Sequence, residues 1–130
     1  MLNIHQEYLK ETFGPDGHVE SYTLHVPDTF NFAYDVIDRI AMGEPGKRAM
    51  FWCNASGEEH TFTFADFRRE SDRAASFFRQ LGIRRGDKVM LILKRHYQFW
   101  FAILGLHKIG AVGIPATNQL LKKDLVYRFQ

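Results

Sequence analysis

The chain has 130 residues and a mass of 15.2 kDa, the length of one domain. Seventeen basic residues against fifteen acidic ones leave a net charge of +2, too balanced for a dedicated electrostatic binder of nucleic acid or membrane. Apolar residues at 45% argue against long disorder, the single Cys53 excludes an intrachain disulfide framework and fits a reducing compartment, and no stretch approaches the ~18 apolar residues of a membrane span.

Residues 1–30 show no clean period and are read as an N-terminal arm. Gly14-Pro15-Asp16-Gly17 is a turn signal, and Tyr22–Val26 has extended character. Met1–His5 lacks the basic head and apolar core of a signal peptide, so a cytoplasmic location is expected. A short helix follows, capped by Asn31. Phe32, Val36, Ile37, Ile40 and Ala41 recur at helical spacing, and Gly43, Pro45 and Gly46 stop it.

Ala49–Cys53 and Thr61–Phe64 read as two strands of a hairpin turning at Ala55–Glu59. The clearest helix starts at Thr63, where Asp66 three residues on completes a capping box. Phe67, Ala74, Ala75, Phe78 and Leu81 line its apolar face, and Gly82 suits the left-handed C-terminal cap. Val89–Leu93 is an apolar run without alternation, which suits a strand buried on both faces of a parallel sheet. Tyr97–Ile109 is apolar nearly all round and helix-length, as expected of a helix buried by its neighbours. Gly110 ends it, and Ala111–Pro115 forms another strand. Residues 88–115 are thus one βαβ unit, expected to be parallel and right-handed. Leu121, Leu125 and Phe129 begin a further helix that runs to Gln130.

A doubly buried strand needs helices on both faces, and this chain supplies few covering elements. The fold class is therefore α/β, with residues 31–130 expected to be an incomplete N-terminal subdomain of a larger domain. Such a piece would expose sheet edge and apolar helix surface, which favours self-association. The alternative is a self-contained small α/β domain.

A search for chemistry finds no complete site. Gly105 and Gly110 have the spacing of a phosphate loop, but Ala111-Val112 stand where Lys-Ser/Thr is required. His5, His18, His25, His60, His96 and His107 do not pair with one another or with Cys53 at ligand spacing, and His107 reads as a core or edge histidine. Cys53 lies in an apolar strand and reads as a buried, inert thiol. Asp35 and Asp38 read as the solvated face of the first helix. Three basic groups remain: the turn Arg84-Arg85-Gly86-Asp87-Lys88, the run Lys94-Arg95-His96 at the end of the βαβ strand, where α/β sheets place ligands, and Lys122-Lys123. Each reads first as solvated loop charge.

The motifs in order carry a resemblance. Thr63-Phe64-Ala65-Asp66-Phe67, Leu81-Gly82, Gly86-Asp87-Lys88-Val89, Phe99–Gly105, and Lys108-Ile109-Gly110-Ala111-Val112 with Pro115 resemble the opening motifs of the adenylate-forming, AMP-binding enzymes. Asn31-Phe32-Ala33, Phe51-Trp52, Pro115–Leu120 and Asp124–Arg128 narrow the likeness to the medium-chain acyl-CoA synthetase and acetyl-CoA synthetase-like branch, over about residues 25–130. The resemblance implies a ligase that uses ATP, CoA and Mg²⁺ on a small carboxylate through an acyl-adenylate. It implies a large N-terminal α/β domain and a rotating C-terminal lid. It also implies that the phosphate loop, the acidic metal residue, the ribose-binding Asp, the hinge and the lid lysine lie downstream, so no catalytic, cofactor or metal residue is carried over. Lys94, Arg95 and Asn118 stand at loop ends without an assigned role.

Three readings follow. The first is the N-terminal portion of an AMP-forming acyl-CoA ligase in fatty acid metabolism, inactive by itself. The second is a truncated stand-alone interaction module. The third is a nucleic-acid binder using Arg84, Arg85, Lys94 and Arg95, which the near-neutral total charge disfavours.

Overall fold

A computed structural model describes residues 3–129. One turn of helix, α1 (His5–Tyr8), leads into a hairpin of β1 (Leu9–Phe13) and β2 (Val19–Leu24). The expected turn forms, with Gly17 at φ +80°. Leu9 pairs with Leu24, Glu11 with Tyr22 and Phe13 with Val19. Paired residues share a face, so Leu9, Phe13, Val19, Tyr22 and Leu24 form a mostly apolar side that Glu11 interrupts, and Lys10, Thr12, Ser21 and Thr23 a polar one. Apart from half-buried Leu9, every residue of both strands is exposed. The segment read as an arm is therefore a hairpin. Buried Ile4 and a bidentate Arg39–Glu7 ion pair (2.7 and 2.8 Å) tie its base to the body; that guanidinium holds the Glu7 carboxyl below its ordinary value.

The first helix starts as expected at Asn31, whose Oδ1 accepts from Ala33 N–H (3.0 Å) while Asp35 Oδ2 accepts from Asn31 N–H (2.6 Å). Its first part, Ala33–Asp38, is a π-helix that runs into α2 (Arg39–Gly43). The wide π turns rotate the inward face. Ala33 and Asp38 are buried where Phe32 and Ile37 were expected, and Phe32 is exposed.

The second hairpin pairs β3 (Arg48–Cys53) with β4 (Glu59–Thr63) as expected. Asn54 Oδ1 accepts from Ser56 and Glu58 N–H and shapes the turn (2.9 and 3.0 Å). Helix α3 (Phe64–Gln80) opens on the complete capping box. Thr63 Oγ1 accepts from Asp66 N–H (3.2 Å), and Asp66 Oδ2 accepts from Thr63 N–H (2.9 Å). It closes on Gly82 at φ +87°, with Gly82 N–H donating to Arg79 O and Ile83 N–H to Phe78 O, a Schellman stop. Leu81 departs from expectation: it lies past the last turn and is exposed, and the centre of the inner face is instead Ser71, fully buried, with its hydroxyl donating to Arg68 O.

Strand β5 (Lys88–Leu91) pairs in parallel with β6 (Val112–Pro115) across α4 (Gln98–Lys108), which is the expected βαβ unit. Only part of β5 is enclosed: Leu91 is buried, Val89 and Met90 are half-buried, and Ile92 and Leu93 lie beyond the strand end, exposed. Helix α4 divides two clusters. Ala75, Leu91, Leu106, Ile109 and Ala111 form one; Ala33, Phe67, Phe101 and Leu104 form the other. Trp100 faces outward, so α4 is not enclosed on every side. Gly105 lets α3 and α4 touch, because a Cβ there would stand 2.7 Å from Ala74 Cβ and 2.8 Å from Ala75 N. Helix α5 (Lys122–Phe129) follows, with no residue buried; Gln130 lies outside the described residues. Among the described residues the strands thus form three two-stranded sheets.

Candidate functional site

In an open α/β sheet, ligands meet the carboxyl ends of the strands. Here Leu91 and Pro115 stand side by side at that end, and Ala116 N–H donates to Leu91 O (3.0 Å). Two loops leave from them, 92–97 and 116–121. The first carries Lys94, Arg95 and His96, all exposed, as expected of loop charge. It is not loose. Trp52 Nε1–H donates to Arg95 O (2.7 Å), a buttress from β3 that the sequence does not announce. Tyr97 meets the Trp52 ring edge-on at 5.2 Å, and His60 lies 5.7 Å from it. His60 Nε2 in turn contacts Glu58 Oε1 (2.8 Å). The second loop holds Asn118, exposed, beside a turn in which Thr117 Oγ1 accepts from Gln119 N–H (3.2 Å).

The polar chemistry of the interior sits elsewhere. Lys108, at the last turn of α4, is buried. Its Nζ donates to Asp38 (2.9 Å) and Asp72 (2.7 Å) and lies 5.4 Å above the Tyr34 ring. Nearby, Asn31 Nδ2–H donates to His107 O (2.7 Å) and Tyr34 O–H to Lys108 O (3.4 Å). These groups satisfy the carboxyl end of α4. Asp38 is thus not solvated, as its spacing from Asp35 suggested; the π turn rotates it inward. The lone lysine in an apolar helix was the available sign of this network.

Cys53 is also corrected. It ends β3 on the outward side and is exposed. His107 is half-buried as an edge histidine, and burial pushes it below its ordinary value. Arg84, Arg85 and Lys88 are exposed; Asp87 Oδ2 accepts from Arg84 N–H (2.7 Å) and closes their turn. Lys122 and Lys123 are exposed on α5. Among the described residues, no group of three His, Cys, Asp or Glu could hold a metal ion. The loops bring cations to the ligand end of the sheet.

A capped helix thus packs beside a parallel βαβ unit whose carboxyl-end loops carry exposed cations. The family model described as AMP-binding enzyme matches residues 37–130, and the chain belongs to that family. Rat acyl-coenzyme A synthetase ACSM5, a mitochondrial protein, is 39% identical over 81% of this chain and 19% of its own length. The crystal structure of Brucella canis acyl-CoA synthetase is 31% identical and superposes with a TM-score of 0.73, covering 79% of this chain and 19% of that one. The N-terminal domain of FACL13 from Mycobacterium tuberculosis shares the fold at a TM-score of 0.67 and 23% identity, over 76% of this chain and 24% of that one. The chain spans about a fifth of the length of the curated relatives it matches. The cytoplasmic location expected from the N-terminus is overturned, since these relatives are mitochondrial.

Proposed function

We propose that this chain is the N-terminal part of an AMP-forming acyl-CoA synthetase acting on a short or medium-chain fatty acid. In that reaction the carboxylate attacks the α-phosphate of ATP, giving an acyl-adenylate and pyrophosphate, and the CoA thiol then displaces AMP. Likeness to an acyl-coenzyme A synthetase over four-fifths of the chain carries the reading. Residues 31–130 act as part of the AMP-binding domain, with residues 1–30 as an appended arm. The described residues present no glycine-rich phosphate loop and no group of acidic residues that could hold Mg²⁺, so they supply neither the phosphate loop nor the metal site that the ligase reaction needs. These 130 residues are therefore inactive alone. Their part is to frame the domain and to hold the Lys94–His96 loop in place through Trp52. The test is acid-dependent exchange of labelled pyrophosphate into ATP by the full-length protein. Exchange with short or medium acids supports the reading, and its absence refutes it.

A second reading, an interaction module that self-associates through exposed apolar surface, is favoured by the uncovered hairpin side bearing Phe13, Tyr22 and Leu24. A monodisperse, cooperatively unfolding monomer of this chain would count against it.

A further inference from the structure

A hollow of about 370 Å³ opens where α3 ends, at the opposite end of the sheet from the Lys94–His96 loop. Arg79, Arg84 and Arg85 line it, over Ile83 and Ile109. No acidic side chain lines it. None of the three guanidinium groups meets a carboxylate among the described residues. Asp87, the nearest acid in sequence, is engaged by Arg84 N–H in closing the turn. The stem of Arg85 is laid against Gly110, where a Cβ would come within 3.0 Å of Arg85 Cγ. Three arginines thus line one concavity with no carboxylate partner among the described residues. The carboxyl end of α3 favours a nearby cation, and Arg79 stands in its last turn. That leaves Arg84 and Arg85 without such an explanation.

We propose that this hollow binds a multiply charged phosphate group. Guanidinium forks match phosphate oxygens bidentately, and three of them balance the charge of a diphosphate. The isoleucine floor accepts an apolar portion of whatever carries it. The proposal goes beyond the ligase reading and does not depend on it. It concerns binding by these 130 residues, whereas the exchange assay reports on the longer protein.

Thermal unfolding of the 130-residue chain tests it, with inorganic pyrophosphate or ADP added and sodium chloride of equal ionic strength as the reference. A ligand at ten times its dissociation constant should raise Tm by about 5 °C over that reference. The shift should vanish in Arg79→Ala/Arg84→Ala/Arg85→Ala, three exposed positions, and in Arg79→Ala/Arg84→Ala/Arg85→Met, which keeps the Arg85 stem against Gly110. A larger shift with ADP than with pyrophosphate would assign a nucleotide as the carrier, and equal shifts a free diphosphate. No shift beyond the salt reference, or a shift retained by the triple variant, overturns the proposal.

Discussion

Replacing Lys108 with Met should cost this domain about 3 kcal/mol. The Lys108 side chain is 1% exposed and the Asp38 side chain 10%, whereas the Asp72 side chain is 55% exposed. The two ion pairs are therefore unequal. Asp72 can return to water, so its pair is worth under about 1 kcal/mol. Asp38 cannot, and removing one partner of a buried pair typically costs about 3–5 kcal/mol, because the other charge is stranded. The slight exposure of Asp38 places the value at the lower end. Against a total stability of about 5–15 kcal/mol, that is a large share. It corresponds to a fall of about 10 °C in Tm for a chain of this length. Urea titrations followed by circular dichroism would measure it. The double variant Asp38→Leu/Lys108→Met should be more stable than Lys108→Met alone, since an apolar pair strands no charge. Asp72→Asn should change stability by less than about 1 kcal/mol. A loss below 1 kcal/mol in Lys108→Met, or a double variant as costly as the sum of its singles, would refute the reasoning.

Gly105→Ala should cost about 1–3 kcal/mol by forcing α3 and α4 apart against Ala74 and the Ala75 backbone, read as a lower urea midpoint. Thr63→Ala removes the acceptor of the α3 cap and should cost about 1 kcal/mol, measured the same way. The Thr63 backbone N–H, then the Thr63 hydroxyl and Arg69, hold the Asp66 carboxyl below its ordinary value. Its stabilisation is present above the unfolded pKa and lost as pH falls through the lower folded one, so Asp66→Asn should flatten the acid limb of stability below about pH 4. His107 is shifted down by burial. The unfolded chain then binds the extra proton first, stability falls as pH drops below about 6.5, and His107→Gln should shrink the Tm difference between pH 7.5 and 5.5.

What the sequence made legible was whatever rests on local chemistry. The capping box of α3, its glycine stop and the Ala55–Glu59 turn each depend on residues a few positions apart, and the βαβ unit on the order of short apolar runs. The first hairpin was read only in part, as its turn and the extended stretch Tyr22–Val26, because Glu11 interrupts the apolar alternation Leu9–Phe13. The π-helix was unreadable for another reason. Its wide turns are held by contacts 70 and more residues away, from Asp38 to Lys108 and from Asn31 to His107, and no periodicity within the segment encodes them. Cys53 was misplaced by one step of strand parity: β3 turns Met50 and Trp52 inward and leaves Phe51 and Cys53 outside. The Trp52–Arg95 buttress, 43 residues apart in sequence, belongs with the π-helix.

The placement of polar groups explains why family membership was easier to read than a site. The most deeply buried charge, Lys108, binds the π-helix and α3 to α4, so desolvated chemistry here serves cohesion. The cations that could meet a ligand, Lys94, Arg95, Arg84 and Arg85, are exposed side chains on loops, which composition alone cannot separate from ordinary solvated charge. Loop function is set by the frame that holds it. In this chain that frame is the Trp52 buttress at one end of the sheet and the Gly110–Arg85 contact at the other. Both are tertiary, and both join segments more than twenty residues apart. A sequence reading therefore reaches the elements of this domain before it reaches the places where a ligand would be held.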